Sequence, residues 1–208
     1  MTDAQKKALD SLSPRYCIPF STECPSLDLF FPEKRPIIAE IGFGMGTATW
    51  QIAISRNEYN YLGLEVHPPG VGKLLMEIEK NSIENLRIIH HDAVEVLESM
   101  IPDQTLAGFH VFYPDPWPKK KHHKRRLMRN DVVESMIDKL FQGGYLYFVT
   151  DIEEYAQSTK ELLDSKSVRI RNIFPDYAHG LDWRPETKFE RRAKMNMGKV
   201  FELMFIKN

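Results

Sequence analysis

The sequence predicts an α/β fold built on a mostly parallel, helix-covered sheet. Short apolar runs alternate with helical stretches along most of the chain, the pattern of strands joined by crossover helices. A glycine-rich turn, Gly42-Phe43-Gly44-Met45-Gly46, stands between the first run and the first helix. An acid lies at or just after the end of each of five runs: Glu40, Glu65, Asp92, Asp115 and Asp151. In open parallel sheets, ligands bind outside the carboxyl ends of the strands.

Residues 1–35 fit this pattern least. Ala4–Leu12 has a short helical pattern, but Pro14, Pro19, Pro25 and Pro32 oppose anything long, so an irregular N-terminal arm is expected. From 36 to 208 a single domain is expected. Its strands are predicted at Ile37–Ile41, Tyr59–Glu65, Leu86–His90, Phe109–Tyr113, Tyr145–Thr150, Val168–Ile173 and Val200–Ile206. Helices are predicted at Thr47–Arg56, Val71–Lys80, Ala93–Met100, Val132–Phe141 and Ile152–Leu163.

The glycine turn allows a ligand close to the backbone. A dinucleotide fingerprint would place its third glycine at position 47, where Thr47 stands; here it comes early, at Gly46. Glu40 beside the turn would repel a pyrophosphate and suits a ligand with a cationic end. S-adenosylmethionine, with an ammonium and a sulfonium and no phosphate, meets that requirement better than a dinucleotide. Glu65, nineteen residues past Gly46, suits two ribose hydroxyls in either ligand. Asp92 suits an adenine amino group. The bland alternatives are a strand-end carboxylate satisfied by backbone N–H groups for Glu40 and helix capping for the acids in general.

The stretch Phe109–Arg129 reads FHVFYPDPWPKKKHHKRRLMR. Pro114, Pro116 and Pro118 bias Tyr113, Asp115 and Trp117 toward extended backbone in a stiff loop. Beyond it, Lys119–Arg129 holds seven Lys/Arg, two His and no acid. The 208-residue chain carries a net charge of -1, so positive charge is concentrated locally, which points to a polyanion site as much as to a solvated face. Cys17 and Cys24 match no common zinc or redox spacing. No apolar run approaches the roughly 18 residues of a membrane span. A reduced, soluble, cytoplasmic protein without metal or membrane is expected.

AEIGFGMG, GLEVHPPGVG, FYPDPWPKKKHHKRRL and TKFE together resemble the bacterial tRNA (guanine-N7)-methyltransferase family, from about Ile37 to the end of the chain. The resemblance implies a Rossmann-like class I methyltransferase with helices on both sheet faces. It also implies methyl transfer from S-adenosylmethionine to N7 of the variable-loop guanosine, position 46 of tRNA. By matching positions, Glu40, Gly42, Gly44, Gly46, Glu65, Asp92 and Asp115 would bind the cofactor, with Asp115 also catalytic. Lys119, Asp151, Thr187, Lys188, Phe189 and Glu190 would contact the substrate. Lys121, His122, His123, Lys124, Arg125 and Arg126 would lie on the RNA. The partner expected is tRNA, and the assembly a monomer or weak dimer.

The residue types fit that chemistry. Guanine N7 has an in-plane lone pair and no proton, so no general base is needed, and positioning with electrostatics must supply the acceleration. Trp117 or Tyr113 would stack an extruded base, though Trp117 serves equally as a core anchor for the loop. A second basic cluster, Arg184, Lys188, Arg191, Arg192 and Lys194, surrounds TKFE. Three rivals remain: a non-catalytic RNA-binding relative, a small-molecule methyltransferase and a nicotinamide dehydrogenase. The first would lose the cofactor acids, the second would leave the basic arm without a purpose, and Glu40 and the early third glycine disfavour the third.

Overall fold

A computed structural model describes residues 1–195 and 198–208, with the side chains of 189 and 192–194 outside the described set. It contains a seven-stranded sheet in the order β3-β2-β1-β4-β5-β7-β6, where β1 is Ile37–Ile41, β2 Asn60–Leu64, β3 Leu86–Ile89, β4 Leu106–Phe112, β5 Leu140–Thr150, β6 Ile170–Asn172 and β7 Phe201–Lys207. The order runs outward from β1 to β3 and restarts at β4, which is the doubly wound pattern that places helices on both faces. The chain divides into two compact units, 1–102 with 183–185, and 103–182 with 186–208.

In the first unit β1, β2 and β3 are parallel, with Ile37 opposite Asn60 and Tyr61 opposite Leu86. Every residue of β1 and β2 is buried, which is why these strands read as continuous apolar runs rather than alternating ones. Helices α2 (Thr47–Ser55), α3 (Pro68–Lys80) and α4 (Ala93–Ser99) follow the three strands. Pro68 begins α3, where its missing N–H is no loss.

The N-terminal region departs from the irregular arm expected of it. Asp3–Tyr16 forms a fourteen-residue helix, α1. A reciprocal capping box between Thr2 and Gln5 opens it. Pro14 falls in its last turn, and the turn still closes through Cys17 N–H donating to Ser13 O at 2.8 Å. Tertiary contact outweighs the proline: α1 lies along α3 so closely that a Cβ on Gly72 would stand 2.5 Å from Gln5 O. Residues 17 and 18 then run beside β3, Ile18 N–H donating to Ile88 O at 2.8 Å, and cover that strand's edge.

In the second unit β4 and β5 are parallel, β7 is antiparallel to β5, and β6 is antiparallel to β7. Helices α5 (Asn130–Lys139) and α6 (Glu153–Asp164) flank β5, and α7 (Lys188–Met195) precedes β7. Phe141, expected in a helix, already belongs to β5. That strand pairs at Leu106–Leu140, slips, and resumes at Gly108–Tyr145. Gly144 makes the slip possible, since a Cβ there would meet Phe141 O at 2.9 Å and Leu106 O at 3.0 Å. β6 is shorter than the expected Val168–Ile173, and Val168 is exposed. Among the described residues no helix is long and apolar enough to cross a membrane.

Replacing Gly72 by Ala should destabilise the protein by about 1–3 kcal/mol, because the new methyl overpacks the α1–α3 contact. A urea denaturation series checks this; an unchanged midpoint would show that α1 does not pack there.

Candidate active site

In the first unit the residues after β1 and β2 are tied together by a hydrogen bond from Gly44 N–H to Glu65 and form one turn. Gly42, Gly44 and Gly46 all have positive φ (72°, 57° and 69°), a conformation that L side chains rarely adopt. A Cβ on Gly42 or Gly44 would meet nothing within 4 Å, so this side of the turn is open. Its inner side is closed: a Cβ on Gly70 would lie 2.0 Å from Gly44 O, and the Phe43 ring occupies the place of a Gly63 side chain. Gly70 was not singled out from the sequence, although the GLEVHPPGVG stretch contains it.

Glu40 lies in β1 and is 3% exposed. Burial pushes its carboxyl up to about 8, with the Thr49 hydroxyl opposing the rise and the Glu65 charge adding to it. Thr49 stands near, yet neither Glu40 Oε2 nor Thr49 Oγ1 meets a hydrogen-bond partner among the described residues. Satisfaction by backbone N–H groups therefore does not extend to Glu40 Oε2. Glu65 differs: Oε2 accepts from Gly44 N–H at 2.8 Å, and Oε1 from Val66 N–H at 2.8 Å and His67 N–H at 2.9 Å. A carboxylate has about four lone-pair sites, so Glu65 holds the turn in place and keeps acceptor capacity. Asp92 caps α4 through Oδ1, which accepts from Val94 N–H at 2.9 Å and Glu95 N–H at 3.3 Å. A buried carboxyl oxygen without a partner beside an open glycine turn fits the cationic end of S-adenosylmethionine.

In the second unit β4 ends at Phe112 and the PDPWP loop begins. Tyr113 and Trp117 have φ of 51° and 43°. This overturns the extended geometry expected before Pro114 and Pro118. Each such residue costs on the order of 1–3 kcal/mol, so contacts outside the loop must hold it. Tyr113 N–H donates to Val149 O at 2.8 Å. Asp115 is exposed, and the Trp117 ring is half-buried, with the Arg125 guanidinium 5.0 Å and the His122 ring 5.8 Å from it.

The basic run continues into a 3₁₀ turn, Lys120–Arg125. Lys119, Lys121, Lys124 and Arg125 are exposed, and His122 and His123 are half-buried. Arg126 breaks the series: it is 4% exposed, unlike the outward positions expected along the RNA-binding run. Its Nε donates to Pro116 O at 2.8 Å, and its terminal nitrogens form a fork to Glu154 at 3.1 and 2.5 Å. The guanidinium holds the Glu154 carboxyl below its ordinary range and stands 4.5 Å from the Tyr155 ring centre. Burial pushes the Tyr155 hydroxyl up to about 12. Nothing in the sequence marked Glu154 or Tyr155 within the helix expected at Ile152–Leu163.

Asp151 is exposed just after β5. Thr187 caps α7, its Oγ1 accepting from Glu190 N–H at 3.1 Å, so part of the TKFE signal is a helix start. Lys188 is exposed and Glu190 buried, while the Phe189 side chain lies outside the described residues. Arg184, assigned to the second basic cluster, is buried, and the side chains of Arg192 and Lys194 lie outside the described residues.

Glu40 also makes a pH prediction. A carboxyl whose folded pKa is raised from 4.5 to about 8 favours folding most at low pH, and that contribution fades as pH rises across this window. Glu40→Gln should therefore gain thermal stability relative to the parent between these values in ligand-free protein. Parallel melting curves from pH 5 to about 8 would contradict the burial of an ionisable group.

A family profile described as "Putative methyltransferase" matches residues 34–203. A tRNA (guanine-N(7)-)-methyltransferase of Neisseria meningitidis serogroup C is 48% identical over 205 residues, covering 99% of this chain and 86% of the relative. One of Burkholderia cenocepacia is 45% identical over 207 residues, covering 100% and 81%. Among solved structures, the 16S rRNA methyltransferase KamB superposes with a TM-score of 0.62 at 15% identity, over 83% of this chain and 88% of that one. An rRNA methylase from Streptococcus thermophilus gives 0.55 at 13% identity, over 100% and 98%. At such identities these two are likenesses of fold alone. The near-full-length identity to the first two decides the matter: the chain belongs to the tRNA (guanine-N7)-methyltransferase family.

Proposed function

We propose that this protein transfers the methyl group of S-adenosylmethionine to N7 of the variable-loop guanosine, position 46, of tRNA. The observation that carries the reading is the 45–48% identity, across essentially the whole chain, to relatives named for that chemistry. The cofactor, when bound, supplies an electrophilic methyl on a sulfonium. Glu40 would take its ammonium, Glu65 the ribose hydroxyls and Asp92, through its second oxygen, the adenine edge. Gly42, Gly44 and Gly46 would let the ligand lie against the backbone. Residues 36–208 act in this reading as one methyltransferase domain, in the cytoplasm.

Because N7 carries a lone pair and no proton, the residues need only hold the base and favour the charge that develops on it. Asp115, exposed at the head of the PDPWP loop, supplies a carboxylate for the ring that becomes cationic and accepts from guanine's Watson–Crick donors. Lys119, Asp151, Thr187, Lys188, Phe189 and Glu190 orient the substrate. Lys121, His122, His123, Lys124 and Arg125 meet tRNA phosphates, making affinity salt-dependent.

The direct test combines methyl-labelled S-adenosylmethionine, unmodified tRNA and nucleoside identification after digestion. Label should appear in 7-methylguanosine and vanish when the variable-loop guanosine is replaced. Asp115→Ala should lower turnover by about 10²-fold or more with little change in tRNA affinity. Label in a different nucleoside would refute the site assignment, and equal losses of turnover and affinity would refute the role of Asp115.

A further inference from the structure

We propose that Arg126 is a positioning residue, the brace that fixes the Asp115–Trp117 loop, and not an RNA contact. This rests on the methyl-transfer reading for its consequence, but on geometry for its substance. The loop cannot hold itself. Pro114, Pro116 and Pro118 contribute no N–H, so only Asp115 and Trp117 offer amides between Pro114 and Pro118. Both flanks, Tyr113 and Trp117, sit in the left-handed region ahead of a proline that restricts them further. The carbonyl midway between Asp115 and Trp117 belongs to Pro116, and Arg126 Nε donates to it at 2.8 Å.

The rest of Arg126 is engaged on α6. Its Nη1 and Nη2 grip the two Glu154 oxygens, Nη1 also lies 3.4 Å from Ser158 Oγ, and the guanidinium plane stands over Tyr155. Tyr155 in turn accepts from Met128 N–H at 3.2 Å, two residues past Arg126. A planar fork with its nitrogens on a carbonyl, a carboxylate and a hydroxyl, and its face on an aromatic ring, has little left for a phosphate. The neighbours Lys124 and Arg125 are exposed. One cation in the arm is therefore turned inward to tie the strained loop to α6.

The test uses the full-length protein with Arg126→Ala, Arg126→Lys and Glu154→Gln. Turnover should fall by about tenfold to a hundredfold in both Arg126 variants, as a small misplacement of a reacting group costs that much. The affinity for tRNA should stay within about twofold and its salt dependence should not change. Lysine should not rescue, because it keeps the charge but lacks the fork. Glu154→Gln, at an exposed position, should give a smaller loss of the same kind in a protein that remains folded.

An activity-independent readout comes from 5-fluorotryptophan labelling. The chain has three tryptophans, Trp50, Trp117 and Trp183, and ¹⁹F NMR of the variants should move or broaden the Trp117 resonance alone. An unmoved Trp117 signal would overturn the brace. So would full rescue by lysine, or a weakened tRNA affinity with a salt slope reduced by about one phosphate contact at unchanged turnover. If the parent protein transferred no methyl to tRNA, the functional reading would fail while the fluorine spectra still decided the brace.

Discussion

A carboxylate inside a buried parallel strand is the constraint around which the first unit is arranged. Ile37, Ile38, Ala39 and Ile41 surround Glu40 in a strand with no exposed residue. A charge there is costly without a partner, and the group responds by holding its proton to about pH 8. In the proposed reading the neighbouring turn admits a compensating cation. Its glycines leave one side open while Gly70 and Phe43 close the other, and the Glu65 carboxylate clamps the turn through three backbone amides. In the proposed reading the turn is in place before the ligand arrives, and the Glu40 carboxyl gives up its proton as the cation binds.

The second unit solves a different problem. An exposed carboxylate and an aromatic ring must be held on a loop whose prolines remove most of its own hydrogen-bonding capacity. Rigidity comes from outside, through the Tyr113 amide on β5 and the Pro116 carbonyl on Arg126. Strain at Tyr113 and Trp117 is tolerable because those contacts over-determine the backbone. In the proposed reading the exposed cations that follow have a separate task, the long-range attraction of tRNA. In the proposed reading one short segment thereby supplies a reaction geometry and an electrostatic surface.

Much of this was legible in the residues. The alternation of strands and helices, the glycine turn, and acids near the carboxyl ends of strands were all readable, because period and composition report them directly. Helix α1 was not, since Pro14 argued against it and the α3 surface that outweighs Pro14 is distant in sequence. The left-handed backbone at Tyr113 and Trp117 ran against the local rule for residues before proline; tertiary contacts override that rule. Arg126 was hidden in a charge run, where nothing in composition separates an inward cation from its outward neighbours. Its partner Glu154 lies 28 residues away. Thr187 carried two signals at once, and its capping role is the one the geometry displays.

A protonated Glu40 that gives up its proton to take a cation has a direct thermodynamic signature. Calorimetric titration of the free protein with S-adenosylmethionine at about pH 7, repeated in buffers of different ionisation enthalpy, counts the protons exchanged on binding. Release of close to one proton is expected, declining as the pH is raised past about 8 and absent in Glu40→Gln. Binding with no proton release in the parent protein, or with the same release in the variant, would contradict it.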